Sequence, residues 1–304
     1  MAKTKRIALA QLSPCWGCDQ ALIDIHLKLA DVLPKLDIVY WPAVVDYKLQ
    51  DLEALPKNSI HIGLVEGSCR TKEDLHLLKL MREKSKVLVA WGSCSAYGGI
   101  QGLGNQWELK ELLERKFLKV ETITEGRIPD ENVPGFMESI KPNTDIVPFE
   151  VVLPGCPPTS ENTLDALMAL LENKPYDLPD KTVCDQCPLE REEKQIKQFH
   201  RTFEGKIDPT KCLLDQGYLC LGFATIGLCG ALCPSKTTPC KGCFGPPPSV
   251  IDHGAKIISA LGAIADMPPE KLKEAFPDPI GSFYFTDFAA SYLSRMKNKS
   301  IDTE

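Results

Sequence analysis

Short apolar runs alternate with helix-like patterns over the first half of the chain. Residues 7–12 and 87–91 are largely apolar, as is typical of parallel strands covered by helices on both faces. Residues 19–33 instead carry apolar side chains at i, i+3 and i+4 spacing, which indicates an amphipathic helix. The predicted strands are residues 7–12, 38–41, 60–65, 87–91 and 149–153, and the predicted helices are residues 19–33, 71–84, 107–117 and 160–172. This alternation predicts an α/β fold with a doubly wound parallel sheet.

The pattern changes after Asn173, where long periodic segments become rare and Gly and Pro more frequent. We therefore predict two domains, residues 1–178 and a smaller irregular domain over residues 179–304. The second domain has one clear predicted helix, over residues 250–265, and too little regular apolar pattern for a sizeable core. Bound inorganic groups are expected to supply the missing cross-links. The tail after Arg295 is predicted to be frayed surface.

The composition narrows the class of function. The chain has 304 residues, with 35 Lys and Arg against 41 Asp and Glu, and a formal net charge of −6. A nucleic-acid-binding protein usually carries a basic excess that neutralises phosphates, so we expect no nucleic-acid partner. No apolar stretch approaches the ~18 to 20 residues of a membrane span, and the first residues lack the apolar core of a secretion signal. We expect a cytoplasmic protein that does not associate with membranes.

Cysteine is the most informative residue type in the chain. There are 13 cysteines, five of them before residue 180 and eight between residues 184 and 243. The odd total fits three sites of four thiolates and one spare thiol better than it fits disulfide pairs. Thiols stay reduced in a cytoplasmic protein, so metal ligation is favoured over a disulfide framework.

The N-terminal cysteines follow the predicted strands. Cys15 and Cys18 come after the first strand, Cys69 after the third, Cys94 after the fourth and Cys156 after the fifth. Ligands of an open parallel sheet bind at the carboxyl ends of its strands, so we expect these thiols to converge on one edge. Rigid strand ends can direct thiolates towards one group from several sides. The sequence therefore predicts a metal cluster at this edge.

A flavin mononucleotide site is the alternative for such a sheet. It would need a loop rich in Ser, Thr and Gly after the first strand, to hold the phosphate. The loop in this chain is Ser13-Pro14-Cys15-Trp16-Gly17-Cys18, which places two thiolates where the phosphate would lie. Flavin binding is therefore disfavoured.

The eight later cysteines divide in sequence order into two groups. The first group is Cys184, Cys187, Cys212 and Cys220, and the second is Cys229, Cys233, Cys240 and Cys243. Cysteine pairs separated by two residues serve zinc sites as well as iron–sulfur clusters, so a zinc-stabilised assembly module without redox function stays open. Three four-thiolate sites on one acidic chain favour redox clusters, since a chain of clusters moves electrons and isolated zinc sites do not.

These residues resemble the small subunit of NiFe hydrogenases. The resemblance is carried by Cys15-Trp16-Gly17-Cys18, Val65-Glu66-Gly67, Trp91-Gly92-Ser93-Cys94, Pro154-Gly155-Cys156-Pro157 and the later cysteine array. It covers nearly the whole chain. Within that family the chain is most similar to the cytoplasmic methyl-viologen-reducing type of methanogens, which does not reduce the deazaflavin coenzyme. The resemblance implies a flavodoxin-like first domain and an iron–sulfur second domain.

The resemblance also implies the ligands of three clusters. Cys15, Cys18, Cys94 and Cys156 would hold a proximal 4Fe-4S cluster, Cys184, Cys187, Cys212 and Cys220 a distal one, and Cys229, Cys240 and Cys243 a medial one. Many family members have a histidine where this chain has Cys184. Many also have a three-iron medial cluster, whereas Cys233 is available here as a fourth ligand. The spacing leaves open which of the two C-terminal groups contains Cys220 and which contains Cys229. The spare Cys69 is expected to be a buried apolar side chain.

Function and partners follow from the same resemblance. Hydrogen would be split in a separate NiFe large subunit, because this chain lacks the paired C-x-x-C motifs that hold the metals there. The chain would relay electrons through three 4Fe-4S clusters to a 2Fe-2S adaptor subunit and, through it, to heterodisulfide reductase. The small subunit of a deazaflavin-reducing or NAD(P)-linked cytoplasmic hydrogenase is the alternative.

Overall fold

A five-stranded parallel sheet forms the N-terminal part of the protein in a computed structural model that describes residues 4–192 and 195–301. The strands are β1 (Lys5–Gln11), β2 (Leu36–Tyr40), β3 (Ile60–Glu66), β4 (Ser85–Trp91) and β5 (Val151–Leu153). Their order is β2-β1-β3-β4-β5, and every neighbouring pair runs parallel. This is the strand order of flavodoxin-like doubly wound sheets. The predicted fold class is confirmed.

Helices connect the strands and continue beyond the sheet. They are α1 (Gly17–Ile23), α2 (Leu29–Val32), α3 (Leu49–Ala54), α4 (Lys72–Lys84), α5 (Gly92–Tyr97), α6 (Leu109–Phe117), α7 (Ser160–Leu171), α8 (His253–Ile264), α9 (Pro269–Ala275), α10 (Pro279–Phe283) and α11 (Tyr292–Ile301). Short 3-10 turns lie between several of them.

Apolar side chains cover both faces of the sheet. Alternate residues of β1 lie in different clusters: Ile7 and Leu9 pack with side chains of α1 and α7, whereas Ala8 and Ala10 pack with side chains of α3 and α4. This alternation is the two-residue period of a strand. Burial on both faces explains why the strand sequences are apolar nearly throughout.

A reciprocal cap sets the start of α4. The pattern Thr71-x-x-Asp74 predicts a capping box, and the structure confirms it. The Asp74 N–H donates to Thr71 Oγ1 over 3.1 Å, and the Thr71 N–H donates to Asp74 Oδ2 over 2.8 Å. The Ser13 hydroxyl donates to the same Asp74 carboxylate over 2.8 Å, so the cap also fixes the loop that leads to Cys15.

The predicted continuous helix over residues 19–33 is wrong. Helix α1 ends at Ile23, and α2 follows after a 3-10 turn. His26, in that turn, has a φ of 54°, a value that a regular right-handed helix does not contain. The apolar periodicity still predicts burial correctly at Leu22 and Val32, which lie in the core.

The C-terminal tail is helical, so the prediction of a frayed end is wrong for the described residues. Helix α11 contains Arg295, whose guanidinium lies 2.9 Å from Asp145 Oδ2. The Lys297 ammonium donates to the backbone oxygen of Asn105 over 3.2 Å. These contacts attach the tail to the segments around Asn105 and Asp145.

The chain divides into two compact units, one of residues up to Tyr176 together with residues from Phe288 onward, and one of Asp177–Asp287. In its described ranges, 177–192 and 195–287, the second unit consists of loops, 3-10 turns, isolated bridges and helices α8 to α10. The C-terminal segment thus groups with the sheet, whereas the sequence predicts residues 179–304 as one domain. That division stays a prediction. Within the described residues, no helix is long and apolar enough to cross a bilayer.

Candidate metal centre

Four cysteines lie at the carboxyl ends of the strands. Cys15 is exposed in the loop after β1, and Cys18 is buried in the first turn of α1. Cys94 lies in α5, a short helix directly after β4 that the sequence pattern does not predict. Cys156 follows β5, and it is half-buried like Cys94. Each thiol is therefore positioned by a strand end or by the helix that begins there.

These four thiols lie close together, because each interacts electrostatically with at least one of the others. Burial, followed by the nearby Cys156 and Cys15, raises the pKa of Cys94 to about 12. Burial and then Cys15 raise the pKa of Cys156. Burial, followed by Glu66 and Cys94, raises the pKa of Cys18. Four thiolates in this space would repel one another, and a positively charged metal group would remove that repulsion.

Gly92 gives the backbone room beside one of these thiols. It has a φ of +83°, and a Cβ built on it would lie 2.4 Å from the Cys18 Sγ. A larger side chain at this position would occupy the space of the sulfur. Both the positive φ and the close approach of the Cys18 sulfur therefore require glycine at position 92, at the end of β4.

A buried carboxyl pair lies beside Cys18. Glu66, at the end of β3, contacts Asp19 and the Cys18 thiol, and burial followed by Asp19 raises its pKa to about 8. Asp19 accepts hydrogen bonds from Trp41 Nε1 over 2.9 Å and from Gln11 Nε2 over 3.0 Å. The sequence suggests only a lone Glu66 that caps local backbone. No sequence signal identifies Asp19, since its partners come from β1, from β3 and from the residue after β2.

Cys69 lies apart from the four thiols. It is buried among apolar side chains on the face of the sheet that α3 and α4 cover. Its N–H donates to Asn143 Oδ1 over 3.1 Å, and burial followed by Asp74 raises the pKa of its thiol to about 11. These surroundings are those expected for a spare, apolar cysteine.

The second unit contains a cavity that four cysteines line together. They are Cys184, Cys187, Cys212 and Cys220. The rest of the lining is apolar, as at Val183 and Leu213, apart from Arg191. Burial, followed by Cys220 and Cys212, raises the pKa of Cys184 to about 12. The structure thus brings together the first C-terminal group that the sequence order predicts, including Cys220.

Backbone N–H groups point at the sulfurs of the second unit. The Cys240 N–H donates to Cys220 Sγ over 3.3 Å, and the Gly222 N–H also donates to it. The Gly242 N–H donates to the Cys240 thiol. Such N–H···S hydrogen bonds are a feature of iron–sulfur sites, where they tune the reduction potential.

The last four cysteines form two close pairs. Burial and then Cys229 raise the pKa of the exposed Cys233, so these two thiols are neighbours. Burial raises the pKa of Cys240, and the thiols of Cys220 and Cys243 contribute to it. Cys240 therefore lies near Cys243 and near the cavity group. A single site made from both pairs stays a prediction.

The donor set around these thiols suits iron–sulfur groups. Within the described ranges, no three His, Cys, Asp or Glu side chains meet as the ligands of one metal ion would. The thiols of Cys184, Cys187, Cys212 and Cys220 instead line one cavity, and backbone N–H groups donate to the Cys220 sulfur. Thiolate ligands, apolar surroundings and N–H donors are the environment that iron–sulfur clusters require.

A family profile matches the part of the chain that carries the sheet. Residues 15–170 match the family described as NADH ubiquinone oxidoreductase, 20 Kd subunit, and the chain belongs to this family. The match includes Cys15, Cys18, Cys94 and Cys156 and ends before Cys184. The eight cysteines of the second unit are therefore outside the shared region.

Within this family, the similarity over the full chain is to hydrogenase subunits. A subunit of the F420-non-reducing hydrogenase vhu of Methanocaldococcus jannaschii is 45% identical over 84% of this chain and 87% of the relative. The corresponding subunit of the F420-non-reducing hydrogenase of Methanothermobacter thermautotrophicus is 35% identical over 96% of this chain and 97% of the relative. The iron-sulfur subunit of the F420-non-reducing hydrogenase of Archaeoglobus profundus is 38% identical over 85% of this chain and 88% of the relative. The predicted membership of the NiFe hydrogenase small subunits is confirmed, and these subunits are parts of oxidoreductases.

Solved structures agree with the fold. The NAD+-reducing NiFe hydrogenase in its H2-reduced state contains a chain that matches with a TM-score of 0.53 and 30% identity, over 58% of this chain and 96% of that chain. A chain of the NiFeSe hydrogenase of Desulfomicrobium baculatum matches with a TM-score of 0.53 over 82% of this chain and 96% of that chain. At 19% identity, the second similarity concerns the fold alone.

Proposed function

We propose that this chain is the electron-transfer subunit of a cytoplasmic NiFe hydrogenase and carries three 4Fe-4S clusters. The observation that carries the proposal is the cavity lined by Cys184, Cys187, Cys212 and Cys220, together with its N–H donors. Such a site, in addition to the one at the sheet edge, would let electrons continue beyond the proximal group. The relatives of similar length, one of them described as an iron-sulfur subunit, support the assignment.

The proposed ligands form three groups. They are Cys15, Cys18, Cys94 and Cys156 for the proximal cluster, Cys184, Cys187, Cys212 and Cys220 for the distal cluster, and Cys229, Cys233, Cys240 and Cys243 for the medial cluster. When bound, such clusters accept and release single electrons. In this proposal the irregular domain of residues 179–304 is the iron–sulfur domain.

The residues of this chain would set how easily each group is reduced. The Cys220 sulfur accepts N–H groups from Cys240 and Gly222, which favour the more negative, reduced state. Burial excludes water at Cys18 and acts in the opposite direction, since it disfavours added charge. The exposed Cys15, by contrast, lies where a partner protein can approach the proximal group.

The proposed partners are the NiFe large subunit, a 2Fe-2S adaptor subunit and heterodisulfide reductase. The large subunit would supply hydrogen cleavage, and the adaptor would take electrons from the distal group. The names of the relatives describe them as F420-non-reducing, which supports an acceptor other than the deazaflavin coenzyme.

Anaerobic purification of the complex with its native partner chains tests the proposal. We expect about twelve irons and as many acid-labile sulfides for this chain, after the metals of identified partners are subtracted. We also expect the large subunit to co-purify, with nickel present only in that subunit. Two or more zinc ions per chain with little sulfide would contradict the proposal and support a zinc-stabilised module.

A further inference from the structure

A buried His–Asp pair lies in the second unit. His253 Nδ1 is 2.5 Å from Asp287 Oδ2, and both side chains are 3% exposed. Within the described part of the chain, the other ring nitrogen, Nε2, is buried and has no hydrogen-bond partner. Burial of an imidazole nitrogen that has no hydrogen-bond partner costs folding free energy. A further group that forms a hydrogen bond with Nε2 would remove this cost.

The imidazole edge faces the loop that carries two of the proposed ligands. A Cβ built on Gly242 would lie 3.0 Å from His253 Cε1 and 3.8 Å from its Nε2. Gly242 stands between Cys240 and Cys243 and donates its N–H to the Cys240 thiol. The absence of a side chain at Gly242 therefore lets the ring approach the backbone beside these two cysteines.

Three further hydrogen bonds fix the position of the pair. Asp252 caps α8 by accepting the Ala255 N–H over 2.9 Å, and Tyr284 Oη donates to the same Asp252 oxygen over 2.8 Å. The Thr286 hydroxyl donates to the Gly242 carbonyl over 3.4 Å. The start of α8 and residues 284–287 are thus attached to each other and to the loop of Cys240 and Cys243.

We propose that His253 donates a hydrogen bond from Nε2 to a sulfur atom of the iron–sulfur group held by the Cys240–Cys243 loop, and that Asp287 orients the imidazole for this contact. The inference rests on the proposed function, because that group supplies the missing acceptor. His253 is then a positioning and potential-setting residue, and it does not ligate iron.

The chemistry of the pair suits this role. A histidine that donates from both nitrogens is doubly protonated. Asp287 would then accept from one ring nitrogen and a sulfur of the group from the other. The hydrogen bond strengthens as the group gains negative charge, so it stabilises the reduced state more than the oxidised one.

The test compares His253→Leu, which removes the donor, with His253→Gln, which keeps an N–H donor on a side chain of similar reach. Both are made in the anaerobically purified complex, and His200→Gln is the matched control. His200 lies in the same unit, where its ring contacts Tyr218. The measurements are iron content, the midpoint potential of each cluster by paramagnetic resonance during redox titration, and coupling of the reduced cluster to a deuterium-exchangeable proton.

We expect His253→Leu to keep the iron content, to shift one midpoint potential to more negative values and to lose one exchangeable-proton coupling. His253→Gln should recover part of the shift, and His200→Gln should change nothing. Wild-type potentials in His253→Leu would overturn the proposal. Loss of about four irons in both variants would also overturn it, since His253 would then be a ligand or a requirement of the fold.

If His253→Leu loses iron and His253→Gln keeps it, the leucine variant no longer reports on the hydrogen bond, and His253→Gln tests the proposal instead. Retention of the exchangeable-proton coupling in His253→Gln supports the proposal, and its absence overturns it. A wild-type complex without acid-labile sulfide would instead defeat the proposed function itself. The two failures are therefore distinguishable.

Discussion

The backbone N–H of Cys240 donates a hydrogen bond to the Cys220 sulfur over 3.3 Å. Cys220 lines the cavity with Cys184, Cys187 and Cys212, whereas Cys240 belongs to the last cysteine pair. One backbone hydrogen bond therefore joins the two cysteine groups of the second unit. An electron relay requires its redox groups to lie in close succession, and this contact places two proposed ligand sets next to each other.

The spare cysteine provides a direct test of the proximal ligand set. We predict that Cys69→Ala keeps the iron content and the paramagnetic signal of the proximal group, since Cys69 packs among apolar side chains. Its cost should be limited to about 1–2 kcal/mol of unfolding free energy. Cys94→Ala is the matched variant and should lower the iron content and change the signal. Loss of iron in the Cys69 variant would show that the proximal ligand set is wrong.

Gly92→Ala tests whether the turn after β4 needs glycine to hold its site. A Cβ at this position would lie 2.4 Å from Cys18 Sγ, on a backbone with a φ of +83°. We expect the variant to displace Cys18 and to lower iron occupancy of the proximal group, measured by iron analysis and absorbance of the intact complex. Gly104→Ala is the control, because its Cβ would meet only Leu112 Cδ1 at 3.5 Å. Equal iron content in both variants would contradict the prediction.

The sequence predicts the sheet well because burial on both faces imposes uniformly apolar strands. It also predicts the cap of α4, because Thr71 and Asp74 are only three residues apart. It does not predict α5, since Gly92-Ser93-Cys94-Ser95 has low helix propensity and the helix depends on its place after β4. A local sequence pattern therefore predicts only those helices and strands that interactions between nearby residues determine.

The same limit explains which site residues the sequence identifies. Close cysteine pairs such as Cys15 and Cys18 indicate some of the thiols, and the predicted strand ends indicate Cys94 and Cys156. His253 and Asp287 are 34 residues apart, and nothing in either neighbourhood predicts their contact. The break at His26 is likewise invisible in the apolar periodicity, which reports burial and not the continuity of a helix.

Trp41→Phe tests the hydrogen-bond network beside Cys18. The variant loses the Nε1–H that donates to the buried Asp19 over 2.9 Å. We expect a loss of about 1–3 kcal/mol in unfolding free energy and a thermal midpoint lower by several degrees in the anaerobic complex. Trp107→Phe is the control: Trp107 is 39% exposed, so its replacement should change stability by less than about 0.5 kcal/mol. Equal midpoints for the two variants would mean that the network contributes little.

The central claim is that electrons leave this chain through the group of Cys184, Cys187, Cys212 and Cys220, and Cys187→Ala tests it most directly. Hydrogen cleavage is proposed to occur in the large subunit, so the intact variant complex should keep hydrogen–deuterium exchange at the wild-type rate. Electron transfer from hydrogen to the physiological acceptor should fall at least about tenfold, which corresponds to a barrier higher by about 1.4 kcal/mol. The subunit composition is checked in the same sample, so that a lost large subunit is not mistaken for a blocked exit. Acceptor reduction at the wild-type rate by the assembled variant would contradict the account.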